Sequence, residues 1–205
     1  FTGLTAWGFF LETVTGGTGS IVANSGLVKK VYLPREIFPL STLGTSAVNS
    51  AIQLVILLSA IVVTGAIPSL AQLAYLPLAL VVLVVYATLF ALLLSALNVY
   101  MRDIQHLIEV ITFLAFWASP IVYSYSYVQK ALAVNYPVAH EIYLANPVTL
   151  AILGFQRSLW AAGIDQPYPV HLMIRLAVAA LIGIVLIFGA HRVFARLEGN
   201  FAQEL

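Results

Sequence analysis

Long apolar runs separated by short polar islands dominate the pattern of hydrophobic and polar positions along this chain. The longest run has no charge at all, since the first charged residue after Glu36 is Arg102. A bilayer core needs about 20 consecutive apolar residues to be crossed by a helix, and these runs fit that requirement. The pattern predicts five membrane-spanning helices, at residues 1–23, 40–66, 73–97, 110–123 and 172–189.

Two apolar segments differ from a simple span. Residues 1–23 contain Glu12 and a run rich in Thr, Gly and Ser, which indicates either a close helix–helix contact or a local break in the helix. Residues 148–162 follow Asn146-Pro147 and are short for a full crossing, so we expect a re-entrant or interfacial helix before the last span. The predicted fold class is an all-α polytopic membrane protein.

Composition excludes several other classes of protein. Of the 205 residues, 61% are hydrophobic and 8% are charged, whereas soluble domains carry about 25% charged residues. A soluble domain with this sequence would have almost no polar face. The net charge of +1 does not suggest nucleic-acid binding. Without cysteine, the chain has no disulfides, thiol nucleophiles or thiolate metal ligands.

The most charge-dense stretch before the long apolar run is residues 25–41, SGLVKKVYLPREIFPLS, here called the elbow. Its apolar positions suit a short amphipathic helix with the lysines on the wet side. Pro34 forces the residue before it out of helical geometry, and Pro39 fits the first turn of the next helix. The charged residues of the elbow are Lys29, Lys30, Arg35 and Glu36.

The distribution of basic residues predicts the topology. If the spans alternate, the elbow, the island at 98–109 and the tail at 191–205 lie on one side of the membrane, which the positive-inside rule makes the cytoplasm. The C-terminus is then inside the cell, and the chain is a multi-pass protein of the plasma membrane. The basic residues assigned to the cytoplasmic side are Lys29, Lys30, Arg35, Arg102, Arg192 and Arg196; the others are Lys130, Arg157 and Arg175.

Few polar residues lie within the predicted spans. Asn49 and Gln53 are one helical turn apart, and they either bond to a neighbouring helix or line a polar pathway. Arg102-Asp103 joins two helices, a position that favours a structural role in a cytoplasmic loop over a catalytic one. An integral-membrane enzyme, such as a lipid-modifying transferase or a protease, would need clustered acid, base or metal groups. The nearest candidate, His140-Glu141, lacks the second histidine of a zinc motif, so no metal site is predicted.

Several stretches together resemble the permease subunits of ABC-2 type exporters, and most closely the branch that exports lipid-linked polysaccharides (teichoic acid translocation permeases and O-antigen exporters). The elbow is the more specific part of this resemblance, and the apolar spans are the less specific part. The resemblance covers nearly the whole chain. The stretches that carry it are residues 7–10, 27–41, 98–104, 119–123, 146–147 and 194–205.

The resemblance implies a fold and a set of partners. The family has six spans per subunit, two permease subunits and two separate ATPase subunits. On that basis residues 1–205 form the transmembrane domain, and an interface helix and first span are expected to precede residue 1. The chain has no Walker A motif, which agrees with ATP and magnesium being bound by the ATPase partner and with no cofactor in this chain. The implied substrate is a lipid-linked polysaccharide.

The resemblance also implies roles for particular residues. The elbow is expected to be the coupling helix that docks on the ATPase, through Lys29, Lys30, Tyr32, Pro34, Arg35 and Glu36. Residues 124–169 are expected to form an outer gate. Aromatic side chains facing the dimer axis are expected to stack on sugar rings of a sliding polymer, although packing, lipid contact or an interfacial belt are the alternatives. These are Phe113, Phe116, Trp117, Tyr123 and Tyr125.

Two alternatives remain at this point. One is an ABC-2 permease of another branch, for which the substrate is a drug, haem or a lipid. The other is the integral-membrane enzyme considered above, although the apolar spans offer few groups for chemistry.

Overall fold

The protein folds into a bundle of helices. A computed structural model describes residues 1–30, 33–160 and 166–205. Within these ranges every regular element is helical. The elements are α1 (Thr2–Ala23), α2 (Ser25–Lys30), α3 (Ile37–Thr64), α4 (Leu70–Leu73), α5 (Tyr75–Tyr100), α6 (Ile104–Ala118), α7 (Tyr125–Leu132), α8 (Pro137–Ala145), α9 (Pro147–Leu159), α10 (Leu172–Leu197), a 3₁₀ turn (Glu198–Asn200) and α11 (Phe201–Glu204).

Three helical segments of the described chain are long and apolar enough to cross a membrane. They are Ile37–Thr64, Leu70–Tyr100 and Leu172–Asn200. They correspond to three of the five predicted spans, and they confirm the all-α polytopic fold class. The last helix continues well beyond residue 189 into the predicted tail.

The other two predicted spans are also helical. The segment predicted as span 1–23 is the continuous helix α1, about 33 Å long at 1.5 Å per residue, and no break occurs at its Gly-rich run. The segment predicted as span 110–123 is α6, which begins at Ile104 and ends at Ala118, before Pro120. With 15 residues, α6 is shorter than the three long segments.

Helix α5 is the centre of the bundle, and it packs against α1, α3, α9 and α10. Three glycines allow close approach to it. A Cβ added at Gly17 of α1 would lie 2.6 Å from the Cβ of Ala91, and one at Gly154 of α9 would lie 2.7 Å from the Cβ of Ala79. On α10, a Cβ at Gly183 would lie 2.5 Å from Val85 Cγ1. The Gly-rich run of α1 therefore makes a close helix contact, as small residues do in membrane bundles.

The connection between α3 and α5 is short and contains α4. Gly65 ends α3 in the left-handed conformation, with φ 69°, which glycine adopts without steric strain. Ser69 then caps α4: its hydroxyl accepts from the Gln72 amide, and the Gln72 side chain accepts from the Ser69 amide.

Helices α8 and α9 form a bent pair. They meet at Asn146 with an angle of 81°, and together they have the length and composition of one broken span or of a re-entrant loop. The Asn146 side chain accepts from the amides of Val148 and Thr149, which caps the start of α9. The short helix predicted at 148–162 is thus α9, although residues 161 and 162 lie outside the described part of the chain.

Candidate functional site

The elbow begins immediately after α1. Only Asn24 separates α1 from α2, and its carbonyl oxygen accepts from the amides of Leu27 (2.9 Å) and Val28 (3.1 Å). The Val28 side chain is buried, whereas Lys29 and Lys30 are exposed at the end of α2. The short helix therefore buries one apolar side chain, Val28, and directs its basic end to solvent, whereas Leu27 is 50% exposed and residues 31 and 32 lie outside the described part.

The second half of the elbow contacts the C-terminal tail. The guanidinium carbon of Arg35 lies 5.6 Å from the centre of the Phe201 ring, which is a cation–π distance. The Glu36 carboxylate lies 2.8 Å from Nε2 of His191. Pro34 is exposed in the non-helical segment before α3, and Pro39 is buried in the first turn of α3. Tyr32, the remaining predicted coupling residue, lies outside the described residues.

A small hydrophobic core lies beneath the elbow, separate from the main core of the bundle. Phe201 is fully buried, and its ring packs edge-on against Phe194 at 5.6 Å and against Tyr100 at 6.1 Å. The Tyr100 hydroxyl donates to the carbonyl of Leu197 at 2.8 Å. These contacts join the elbow to α5, α10 and α11. The buried members of this core are Ile21, Val28, Phe38, Leu92, Ala96, Val99, Phe194 and Phe201.

The loop between α5 and α6 contains the predicted pair Arg102 and Asp103. Both side chains are exposed, and neither forms an ion pair with any residue in the described ranges. The side chain with defined hydrogen bonds near this loop is Asn98, which the sequence did not indicate as a candidate. Its side-chain nitrogen donates to the Thr18 carbonyl at 3.1 Å, and its oxygen accepts from the Gln105 amide at 3.2 Å. Asn98 thereby connects α1, α5 and α6.

An aromatic groove of about 610 Å³ runs between α1 and α6. Phe113 and Trp117 are 63% and 54% exposed along it. Phe116 is half-buried; its ring centre lies 6.0 Å from that of Trp7 and 5.8 Å from that of Trp117. Three of the five aromatic residues predicted for a substrate path thus share one open surface. The groove is lined by Trp7, Leu11, Thr15, Glu109, Thr112, Phe113, Phe116 and Trp117.

The other two aromatic residues predicted for the path lie elsewhere. The Tyr123 hydroxyl donates to the Ala118 carbonyl at 2.8 Å, and its side chain lines a second cleft of about 410 Å³ near the start of α1 and the end of α3. Tyr125 is buried at the start of α7, with its hydroxyl 2.8 Å from Nε2 of His140. The structure therefore separates the five residues into three places.

The predicted outer-gate segment consists of α7, α8, α9 and their connections, and residues 161–165 of it lie outside the described part. Among the described residues, one ion pair holds it to α10, and one cation–π contact lies within the segment itself. Arg175 of α10 donates to both oxygens of Glu141, at 2.9 and 3.1 Å. Arg157 lies 4.7 Å from the ring centre of Tyr168, and burial raises the pKa of the Tyr168 phenol while this guanidinium opposes the rise.

Among the residues that the structure describes, no three His, Cys, Asp or Glu side chains come together as a metal site would require. The features that distinguish this molecule are a basic elbow braced by the C-terminal tail, an open aromatic groove and a bent helix pair. A family model for the ABC-2 type transporter matches residues 4–160. The chain belongs to the ABC-2 type transporter family.

Individual relatives are similar to this ABC-2 chain over its whole length. Two are O-antigen export system permease proteins RfbA from Klebsiella pneumoniae, 23% and 24% identical over 204 residues. A third, of the same name, is from Myxococcus xanthus and is 25% identical over 205 residues. Each alignment covers 100% of this chain and 73% or 74% of the relative.

Family membership and the apolar helices together establish the general role of the chain. It is a transport subunit of an ABC transporter rather than an enzyme, and it is a multi-pass protein of the plasma membrane. The resemblance that the sequence stretches carry, above all the elbow, is thereby confirmed at the level of the family.

Proposed function

We propose that this chain is the permease subunit of an ATP-driven exporter that moves a lipid-linked polysaccharide of the O-antigen or teichoic acid type across the plasma membrane. The observation that carries the proposal is the alignment of the entire chain with permeases named for O-antigen export. The open aromatic groove supports it, because aromatic rings offer large apolar contact area on which sugar rings stack.

ATP hydrolysis belongs to a separate subunit in this proposal. A dimer of ATPase subunits binds ATP and magnesium. Two copies of the permease enclose the transport pathway at the interface between the two copies. The chain itself has no Walker A motif, so it offers no phosphate-binding loop of that kind. The groove residues Phe113, Phe116 and Trp117 contact the polymer. Tyr125 belongs to the outer gate at 124–169, and Tyr123 directly precedes it.

The elbow transmits the movement of the ATPase. Its exposed lysines, Lys29 and Lys30, dock on the partner, while the buried Val28 and the small core beneath it join α2 to α5 and α10. Because a single residue links α2 to α1, a displacement of α2 moves the end of α1 directly. Arg35 and Glu36 hold the elbow against the tail, so they preserve its position rather than contact the ATPase first.

The proposal is tested by purifying the permease from its native membrane in mild detergent and measuring ATPase activity and polymer export. We expect an ATPase subunit to co-purify. The double variant Lys29→Ala/Lys30→Ala should retain the fold and lower export by about tenfold or more, the effect of losing about 1.4 kcal/mol of docking free energy. Lys130→Ala is the control, since it removes an exposed lysine from the outer-gate segment.

Two results would contradict different parts of the proposal. A permease that purifies alone and without ATPase activity contradicts the exporter. Co-purification with normal export by the double variant contradicts only docking through α2, and it leaves the exporter in place.

A further inference from the structure

The carboxyl group of Glu12 lies about halfway along the length of the bundle and is exposed on its surface. Glu12 is the single charged residue of α1 and lies near the middle of this 22-residue helix. Asn49, near the middle of α3, donates to Glu12 Oε1 at 2.6 Å. Both side chains are exposed on the surface of the bundle. The pair therefore lies at the depth of the apolar spans, away from the polar loops at either end.

This pair belongs to a polar ladder between α1 and α3, formed by Glu12, Asn49 and Gln53. One turn before Glu12, a Cβ added at Gly8 would lie 3.9 Å from the side-chain oxygen of Gln53. One turn after it, a Cβ added at Gly16 would lie 3.7 Å from Cβ and Cγ2 of Thr42, whose hydroxyl donates to the Pro39 carbonyl of its own helix. Because Gly8 and Gly16 lie four residues on either side of Glu12, no side chain at those two positions covers the carboxyl group.

Such a surface does not suit contact with lipid. An ionisable side chain at membrane depth is costly against hydrocarbon, and such residues face a bundle interior or a water-filled cavity instead. Helix α10 provides the contrast within the same chain, since Leu181, Val185 and Phe188 give it an exposed face that is wholly apolar. The molecule thus has an apolar exposed face on α10 and a narrow polar strip where α1 meets α3, beside which α3 also exposes apolar side chains such as Val48 and Val55.

The polar ladder adjoins the aromatic groove. Leu11 and Thr15 of α1 both line the groove. Leu11 directly precedes Glu12, and Thr15 follows Glu12 by about one helical turn. Aromatic rings and a row of carboxyl and amide groups are therefore placed side by side on one open surface. Sugar rings offer apolar faces that stack on aromatic rings, and their hydroxyl groups donate to carboxylates and exchange hydrogen bonds with amides.

We infer that the polar ladder is a hydrogen-bonding site for the hydroxyl groups of the exported polymer, in a hydrated path that it shares with the aromatic groove. Glu12 accepts from sugar hydroxyls, and Asn49 orients the carboxyl group while it remains able to accept through its own oxygen. This inference rests on the proposed function, and it adds the polar half of the path that the aromatic residues alone do not supply.

The first test asks whether the ladder is hydrated, and it does not require transport. The chain contains no cysteine, so Glu12→Cys and Val185→Cys can each be labelled as a single site. In lipid vesicles containing the permease with its ATPase, a membrane-impermeant methanethiosulfonate should modify Glu12→Cys at least about tenfold faster than Val185→Cys. The reagent reacts with thiols in water, and Val185 belongs to the apolar exposed face of α10.

Equal and slow labelling at the two sites overturns the hydrated path. Oxidative cross-linking of Glu12→Cys between two copies at high yield, together with absent labelling, overturns it as well, because the ladder is then covered by a second subunit.

The second test concerns the sugar. In a strain that makes an O-antigen polymer but lacks its own permease, Glu12→Leu should lower export by about tenfold, equivalent to the loss of one charge-assisted hydrogen bond, and Glu12→Gln should retain most of it. Subunit assembly with the ATPase should be unchanged in both. Normal export by Glu12→Leu overturns the site. Failure of the unaltered chain to export contradicts the proposed function instead, and the labelling experiment then decides whether the ladder is hydrated.

Discussion

Asn98 shows how much of the elbow end of the bundle depends on a single side chain. It is almost fully buried on α5, and its amide bonds both to the carbonyl of Thr18 and to the backbone amide of Gln105. A buried amide that satisfies groups on two other helices stabilises their relative position, because leaving such groups without partners carries a penalty.

We expect Asn98→Ala to lower the free energy of unfolding by about 1–3 kcal/mol, since it removes the bonds to the buried Thr18 carbonyl and to the partly buried Gln105 amide. Thermal unfolding of the purified permease in detergent measures this as a fall in the midpoint. Asn135→Ala is the control, because Asn135 is exposed in the connection before α8 and the same substitution there should change the midpoint little. Equal midpoints for the two variants would contradict the role assigned to Asn98.

The elements that meet at the elbow come from both ends of the chain. Helix α2 contacts α11, which follows the last long helix, and just before α3 Arg35 contacts Phe201 of α11 while Glu36 contacts His191 of α10. Helix α11 has only four residues and would not be stable by itself, so its burial beneath the elbow is what orders it. The tail and the elbow therefore stabilise each other.

Phe201→Ala should loosen the elbow, because truncating a buried phenylalanine costs about 3–5 kcal/mol and this core is separate from the main one. Limited trypsin digestion followed by mass spectrometry measures the effect. Cleavage after Lys30 and Arg35 should become faster by at least about tenfold, since proteolysis follows local opening. Gln203→Ala, an exposed position of the same helix, should leave these rates unchanged. Slow cleavage in Phe201→Ala would show that the tail does not hold the elbow.

The sequence predicted elements with a local signature better than contacts between distant segments. The apolar runs located α3, α5 and α10, and the two prolines predicted the non-helical part of the elbow and the first turn of α3, because these signals arise from neighbouring residues. The packing of Phe201 beneath Arg35 and the bonds of Asn98 join residues that are far apart in the sequence, so the hydrophobic periodicity does not reveal them. The predicted aromatic path combined residues that the structure places apart, since periodicity does not tell which face of a short helix is covered.

The whole molecule has both of its basic ends on one side. Glu36 and His191 are in contact, so the elbow and the end of α10 lie at the same end of the bundle. This agrees with the basic-residue count, which assigns both to the cytoplasm. The bent pair α8–α9 fits this topology as a re-entrant loop, because such a loop adds no crossing before α10, whereas one broken span would add a crossing.

Single cysteines in the cysteine-free chain test this topology. In intact cells, an impermeant maleimide should label Lys130→Cys and should not label Lys29→Cys or Arg192→Cys. After the membrane is permeabilised, all three should react, because all three positions are exposed. The unaltered chain is the control and should remain unlabelled throughout. Labelling of Lys29→Cys in intact cells would reverse the assignment.

The glycine contacts on α5 also limit how this permease changes shape. Helices that approach as closely as α1, α9 and α10 do at Gly17, Gly154 and Gly183 leave no space for larger side chains to slide past each other. These three helices and α5 are therefore expected to move as one rigid body. Helix α6 buries only Ile108 and Thr112, so it has more freedom. If the ATPase proposed as the partner moves the elbow, we expect the central block to tilt as a unit and the adjustment to fall on α6, the loosely packed helix that borders the aromatic groove.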